Sequence, residues 1–94
     1  MEVENHVDSH PSVDAVGIVP VPDEVFGERV CAAVTLVPGT TLTLADLTAH
    51  LEARGLGKES WPEHLLVLDE LPRSSGGKLA KGDLKALAAR LLLP

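Results

Sequence analysis

At 94 residues and 9.9 kDa the chain has room for one domain, residues 1–94, which at this size buries roughly two thirds of its unfolded surface. Hydrophobic residues make up 45% of it and the only aromatic side chains of the Phe, Tyr and Trp class are Phe26 and Trp61, so the core has to be built from Val, Leu, Ile and Ala. The net charge of −6 hides an asymmetry: residues 1–72 hold thirteen acids against three bases, a balance of −10, and residues 73–94 hold five bases against the single Asp83, a balance of +4. An acidic body without interleaved aromatics excludes a nucleic-acid binder, although the basic end can attract a phosphate-bearing ligand. No apolar run approaches the ~20 residues of a membrane span and no signal-peptide pattern is read at the start. Cys31 is alone, so no internal disulfide is possible, and a cytoplasmic location is the expectation.

In chain order, Val3, Val7 and His10 fall at helical spacing, and the helix they predict must stop before Pro11, which disfavours helical geometry in the residue before it. Val13 to Val21 and Arg29 to Val37 are apolar on both alternations, and the turn formers of Pro22 to Gly27 separate them. Two neighbouring antiparallel strands, buried on both faces, are predicted. Cys31 lies inside the second as a small buried hydrophobe rather than a nucleophile. Pro38-Gly39 closes that strand. Thr43 is placed to cap a helix with Asp46 in its first turn and Leu44, Leu47 and Leu51 on one face, until Gly55 ends it. Leu65 to Leu68, flanked by Pro62 and Pro72, reads as a third strand, and Leu84, Leu87 and Leu91 give a last helix its apolar stripe. The fold class is α+β, with the order α-β-β-α-β-loop-α and a small, mainly antiparallel sheet of about three strands covered by helices.

The chemistry concentrates in Leu71-Pro72-Arg73-Ser74-Ser75-Gly76-Gly77-Lys78-Leu79-Ala80-Lys81. Pro72 fixes one end, Ser74 and Ser75 are small and polar, and Gly76-Gly77 allow backbone angles closed to other residues, so Lys78 is presented outward. A phosphate loop of the form G-x-x-x-x-G-K-[ST] is excluded, because it needs a glycine where Pro72 stands and a hydroxyl where Leu79 stands. His6 and His10 are four apart, but no third ligand accompanies them, so no metal site is predicted and a solvent-facing or capping role is expected. His50 and His64 stand alone. Lys81 and Lys85 read most simply as a solvated helix face that can also steer phosphate, Glu28 as a structural contact, and Trp61 as a packing anchor for the strand that follows.

Four stretches in register carry a resemblance: Glu2-Val3-Glu4 with His10-Pro11; Ala15 to Val19 with Pro22-Asp23 and Gly27-Glu28; Trp61-Pro62-Glu63; and Leu71-Pro72-Arg73 with Gly77-Lys78. On these the chain resembles the small C-terminal lid domain of the acyl- and aryl-CoA synthetases, in the adenylate-forming, AMP-binding superfamily. The resemblance implies that Lys78 is the catalytic lysine, meeting carboxylate and phosphate oxygens as acyl-adenylate and pyrophosphate form. It implies a phosphate-contacting set of Arg73, Ser74, Gly76, Gly77 and Lys81. A rotation of the domain for thioester formation with CoA or a carrier thiol is also implied, with the pattern closer to CoA ligases than to peptide synthetases.

ATP, Mg2+ and CoA are expected in a complete enzyme, with none bound to this chain alone. The expected partner is a large N-terminal adenylation domain, in the same parent chain or in trans. The phosphate-binding loop, the adenine and acyl pockets, and the hinge and glycine-containing loop that in the family precede Glu2 are all outside these 94 residues. The chain by itself is therefore expected to be inactive. The competing expectation is a stand-alone interaction domain that keeps the fold, has no catalysis, and binds a partner enzyme or carrier protein through its basic end.

Overall fold

The structure, a computed structural model, describes residues 2–25 and 27–92; Phe26, one of the two aromatics, lies outside them. The order is α1 (Glu2–Asp8), β1 (Val13–Asp23), β2 (Gly27–Leu36), α2 (Leu44–Ala53), a 3₁₀ turn (Lys58–Ser60), β3 (His64–Val67) and α3 (Lys81–Leu92). This is the predicted α+β order. Among these residues no helix is long and apolar enough to cross a membrane.

β2 is the centre of a three-stranded sheet ordered β1-β2-β3. It pairs antiparallel with β1, from Val13 with Leu36 to Asp23 with Gly27, and parallel with β3, from Cys31 with His64 to Val34 with Val67. The short hairpin explains the first pairing. The second is parallel because α2 carries the chain back along the sheet before β3 begins, a crossover that two-residue turns cannot provide. The sequence had not indicated that parallel pair.

Alternation along the strands divides the core between two faces. Ala32 and Val34 face Val7 of α1 and Leu47 and Leu51 of α2. Cys31 and Ala33 face Leu84 and Ala88 of α3. The sheet therefore lies between α1 and α2 on one side and α3 on the other, which is why both expected strands read as apolar on both alternations. Thr43 caps α2 as predicted, with Asp46 N–H donating to Thr43 Oγ1 and Thr43 N–H to the Asp46 carboxylate. Gly55 follows with φ +84°. The stripe on α3 differs from the expectation. Leu84 and Ala88 are fully buried, whereas Leu91 is 52% exposed, because the buried line runs at i, i+4 through a small residue that hydrophobicity alone underrates.

β1 is an edge strand, and its free side is closed to further pairing. Ile18 N–H points outward and donates to Glu4 Oε2 at 3.1 Å. Pro20 and Pro22 share Ile18's parity, so the N–H groups that proline lacks are those that would have faced the edge. Across the α1–α2 contact, His50 Nε2 is 2.8 Å from Ser9 Oγ, Arg54 Nε donates to His6 Nδ1 at 2.8 Å, and the rings of His10 and His50 meet edge-on at 4.9 Å. The histidines are thus packing partners at a helix contact. His10 itself follows α1 and accepts from Ser12 N–H. Among the described residues no group of three or more His, Cys, Asp or Glu is placed to hold a metal ion.

Candidate functional site

The segment after β3 runs back toward the free edge of the sheet. Leu71 anchors it in the core beside Cys31 and Leu84. Arg73 and Leu79 then form an antiparallel bridge, Ser74 N–H donates to Lys78 C=O at 2.8 Å, Gly77 N–H to Ser74 C=O at 2.9 Å, and Ala80 N–H to Pro72 C=O at 2.9 Å. The lysine-bearing loop is therefore a short hydrogen-bonded hairpin. Gly77 takes φ +79° and Gly76 does not have a positive φ, so of the two glycines only the second is required by backbone geometry.

Two contacts seat the hairpin on the domain. A side chain at Gly17 of β1 would place its Cβ 2.9 Å from Leu79 Cδ2 and 2.6 Å from Leu84 Cδ2, so the glycine is what allows Leu79 and the first turn of α3 to lie flat on β1. Leu84 N–H donates to Ala80 C=O at 3.0 Å, so α3 begins where the hairpin closes.

Residues 73 to 78 are all exposed. Arg73, Ser74, Gly76, Gly77 and Lys78, five of the predicted site residues, lie on this one exposed hairpin. Among the described residues no ion pair or side-chain hydrogen bond holds the Lys78 ammonium, which is exposed on the return arm of the hairpin, directly after its turn. Lys81, the sixth, is different. It opens α3 on an exposed position, as expected, and its Nζ also lies 3.0 Å from Glu4 Oε2 in an ion pair within the molecule. Lys85 is exposed on α3.

Glu4 is the polar residue that sequence reasoning missed. One oxygen accepts from both Lys81 and the Ile18 N–H. Burial alone would raise this carboxyl, but the Lys81 hydrogen bond, the Ile18 N–H and the lysine charge outweigh it and hold the pKa below its ordinary value. A separation of 77 residues leaves no local signal for the pair. Gly17 did have one: an isolated glycine within an apolar strand marks a close approach.

The remaining candidates are structural. Trp61 Nε1 donates to Leu56 C=O at 2.8 Å while its ring packs against the core of α1 and α2. Glu63 Oε2 accepts from Val30 N–H. The Glu28 side chain is exposed. Burial pushes the Cys31 thiol up to about 11, which keeps it protonated and unreactive at neutral pH.

The family model described as AMP-binding enzyme C-terminal domain matches residues 2–78. A salicylyl-CoA synthase / salicylate adenylyltransferase of Streptomyces sp is 44% identical over 84 residues, 89% of this chain and 15% of that protein. A medium-chain fatty-acid–CoA ligase of Escherichia coli K12 is 37% identical over 85% of this chain and 14% of its own length. Among solved structures, apo MbtA of Mycobacterium smegmatis superposes with a TM-score of 0.84 at 40% identity, over 90% of this chain and 16% of that one. ATP-bound MatB of Rhodopseudomonas palustris gives 0.86 at 30% identity, over 96% and 18%. The chain thus spans less than a fifth of the length of each of these relatives.

Proposed function

The chain belongs to the AMP-binding enzyme C-terminal domain family, and from that premise we propose that it is the lid of an ATP-dependent acid–thiol ligase, delivering Lys78 to a nucleotide held by a large adenylation domain. The observation that carries the reading is the Lys78 side chain itself: exposed, unpaired among the described residues, and set directly after the turn of a hydrogen-bonded hairpin.

The reaction calls for such a group. The acid's carboxylate oxygen attacks the α-phosphorus of ATP, an oxygen–phosphorus bond forms, and the bond to pyrophosphate breaks. Two anions converge, and negative charge accumulates on the phosphoryl and leaving oxygens. A positioned cation stabilises that charge more than it stabilises the separated reactants. Lysine offers a compact charge with three donors. Arg73, in the same hairpin, adds a second cation, and the exposed N–H groups of the turn offer further donors to phosphate.

A convex loop cannot enclose a nucleotide, because ligand sites are concave; the pocket belongs to the partner domain, and this domain completes it by closing. Thioester formation with CoA or a carrier thiol follows once the lid turns away and clears the acyl carbon. Similarity to relatives named for salicylate and for medium-chain fatty acids supports a lid that carries no acid specificity.

The test is acid-dependent ATP–pyrophosphate exchange by the complete enzyme, with this domain joined to or mixed with its adenylation domain. Lys78→Ala should slow exchange by roughly 10² to 10³, as loss of one preorganised donor does. Unchanged exchange by the variant overturns the reading. Binding to the large domain without any stimulation of exchange would instead indicate a non-catalytic interaction domain.

A further inference from the structure

Lys81 is oddly placed if its task is only to solvate α3. It is the first residue of the helix, where the aligned peptide dipoles present positive charge and a cation is disfavoured. Its ammonium turns instead to Glu4, 3.0 Å away, with the lysine side chain half exposed and the glutamate 23% exposed. Glu4 lies on α1, which packs on one face of the sheet through Val7, whereas α3 packs on the opposite face through Leu84. The pair therefore reaches around the free edge of β1, and the same carboxylate oxygen takes the outward N–H of Ile18 on the way. Lys81 stands three residues after Lys78 and one after Ala80, whose N–H closes the hairpin on Pro72.

We propose that Glu4 is a positioning residue for Lys78: its carboxylate clamps the start of α3, and with it the base of the lysine-bearing hairpin, to α1 and the edge of β1. The inference rests on the reading of Lys78 given above and deepens it. The clamp has two effects. It fixes the direction in which the hairpin leaves the domain, supplementing the apolar seat of Leu79 on Gly17 with an electrostatic one. It also gives the Lys81 ammonium a partner, so that a phosphate approaching the hairpin meets the Lys78 ammonium with the amine three residues on already engaged. Because Glu4 touches α1, β1 and α3 but no reacting atom, its effect on the chemistry runs through Lys78.

The experiment compares Glu4→Gln, Lys81→Met, Lys78→Ala and their double combinations in the complete adenylating enzyme, reading kcat and KM for pyrophosphate exchange and, in parallel, amide hydrogen exchange. Glu4→Gln should lower kcat roughly two- to fivefold, within the range a half-exposed ion pair can supply, with the KM for ATP and acid unchanged. The Ser74 and Gly77 amides should exchange faster while core amides such as that of Val34 do not. Lys81→Met, which leaves Glu4 on the Ile18 amide, should show the same loop exchange, so the clamp is tested even if Glu4→Gln loosens β1. In the Lys78→Ala background, Glu4→Gln should cause no further loss.

The proposal is overturned if kcat and the Ser74 and Gly77 amides are unmoved by both clamp variants. Losses that multiply with Lys78→Ala, or core amides that exchange faster in step with the hairpin, also overturn it, since either would mean general destabilisation. Should Lys78→Ala itself leave exchange intact, it is the reading of Lys78 that fails, and the Ser74 and Gly77 amides still report separately whether the clamp orders the hairpin.

Discussion

Gly17 shows how one missing side chain sets the geometry of a site at some distance along the chain. Its neighbours are the ends of two leucines. Leu84 is fully buried and has no room to retreat, whereas Leu79 is only partly buried and can swing outward. An added methyl is therefore expected to displace Leu79 from the base of the hairpin and to strain α3 against β1. Gly17→Ala should destabilise the domain by about 1–3 kcal/mol, as overpacking does, read as a lower urea midpoint with an unchanged slope. A variant as stable as the parent would mean that both leucines repack without cost. At this scale the exposure of Lys78 was legible, because its neighbours are turn formers and its charge has no local partner. Glu4 was not, since its role exists only once α1, β1 and α3 meet. Nor could Gly76 and Gly77 be told apart before the backbone angles were in hand.

The helices and strands followed from periodicity and capping, and the departures have physical causes. The β3 pairing direction depends on how α2 crosses the sheet, which no local pattern encodes. The buried line of α3 passes through Ala88 rather than Leu91, because the close approach to β1 favours a small side chain. The α1–α2 contact is an element-scale feature assembled from residues some forty positions apart. There His50 is partly desolvated and faces His10 and Arg54, with His6 beyond, and these hold its pKa below the ordinary value near 6.5. The unfolded chain then binds the proton more readily than the folded one. Stability from this group is complete above the unfolded pKa and is lost as pH falls below it. Urea midpoints should drop as pH falls from 7 toward 5, and His50→Gln should flatten that part of the profile. The lowered Glu4 pKa acts in the same direction but in a separate window, below its ordinary 4.5. A profile flat between pH 7 and 5 would show that His50 binds its proton equally well in the folded and unfolded chain.

For the molecule as a whole, the charge pattern and the shape of the site bear on the same question. The acidic body and the basic end that begins at Arg73 orient the domain in the field of an anionic ligand, with the Lys78 hairpin leading. Orientation is not affinity. A nucleotide touching this surface alone would gain one or two cations on a convex loop, in water that screens them, and would keep most of its own hydration. The isolated chain is therefore expected to bind ATP only weakly, on the order of millimolar or worse, a level at which the free energy of association amounts to about 4 kcal/mol. Titration calorimetry checks this directly. A micromolar constant for the isolated chain would require a concave, desolvated nucleotide site on this domain, and the hairpin would then be part of a pocket rather than a group carried to one. On the function proposed above, weak binding alone and a large loss of exchange on Lys78→Ala in the complete enzyme belong together, because a lid that held the nucleotide tightly when open would oppose the rotation proposed for the thioester step.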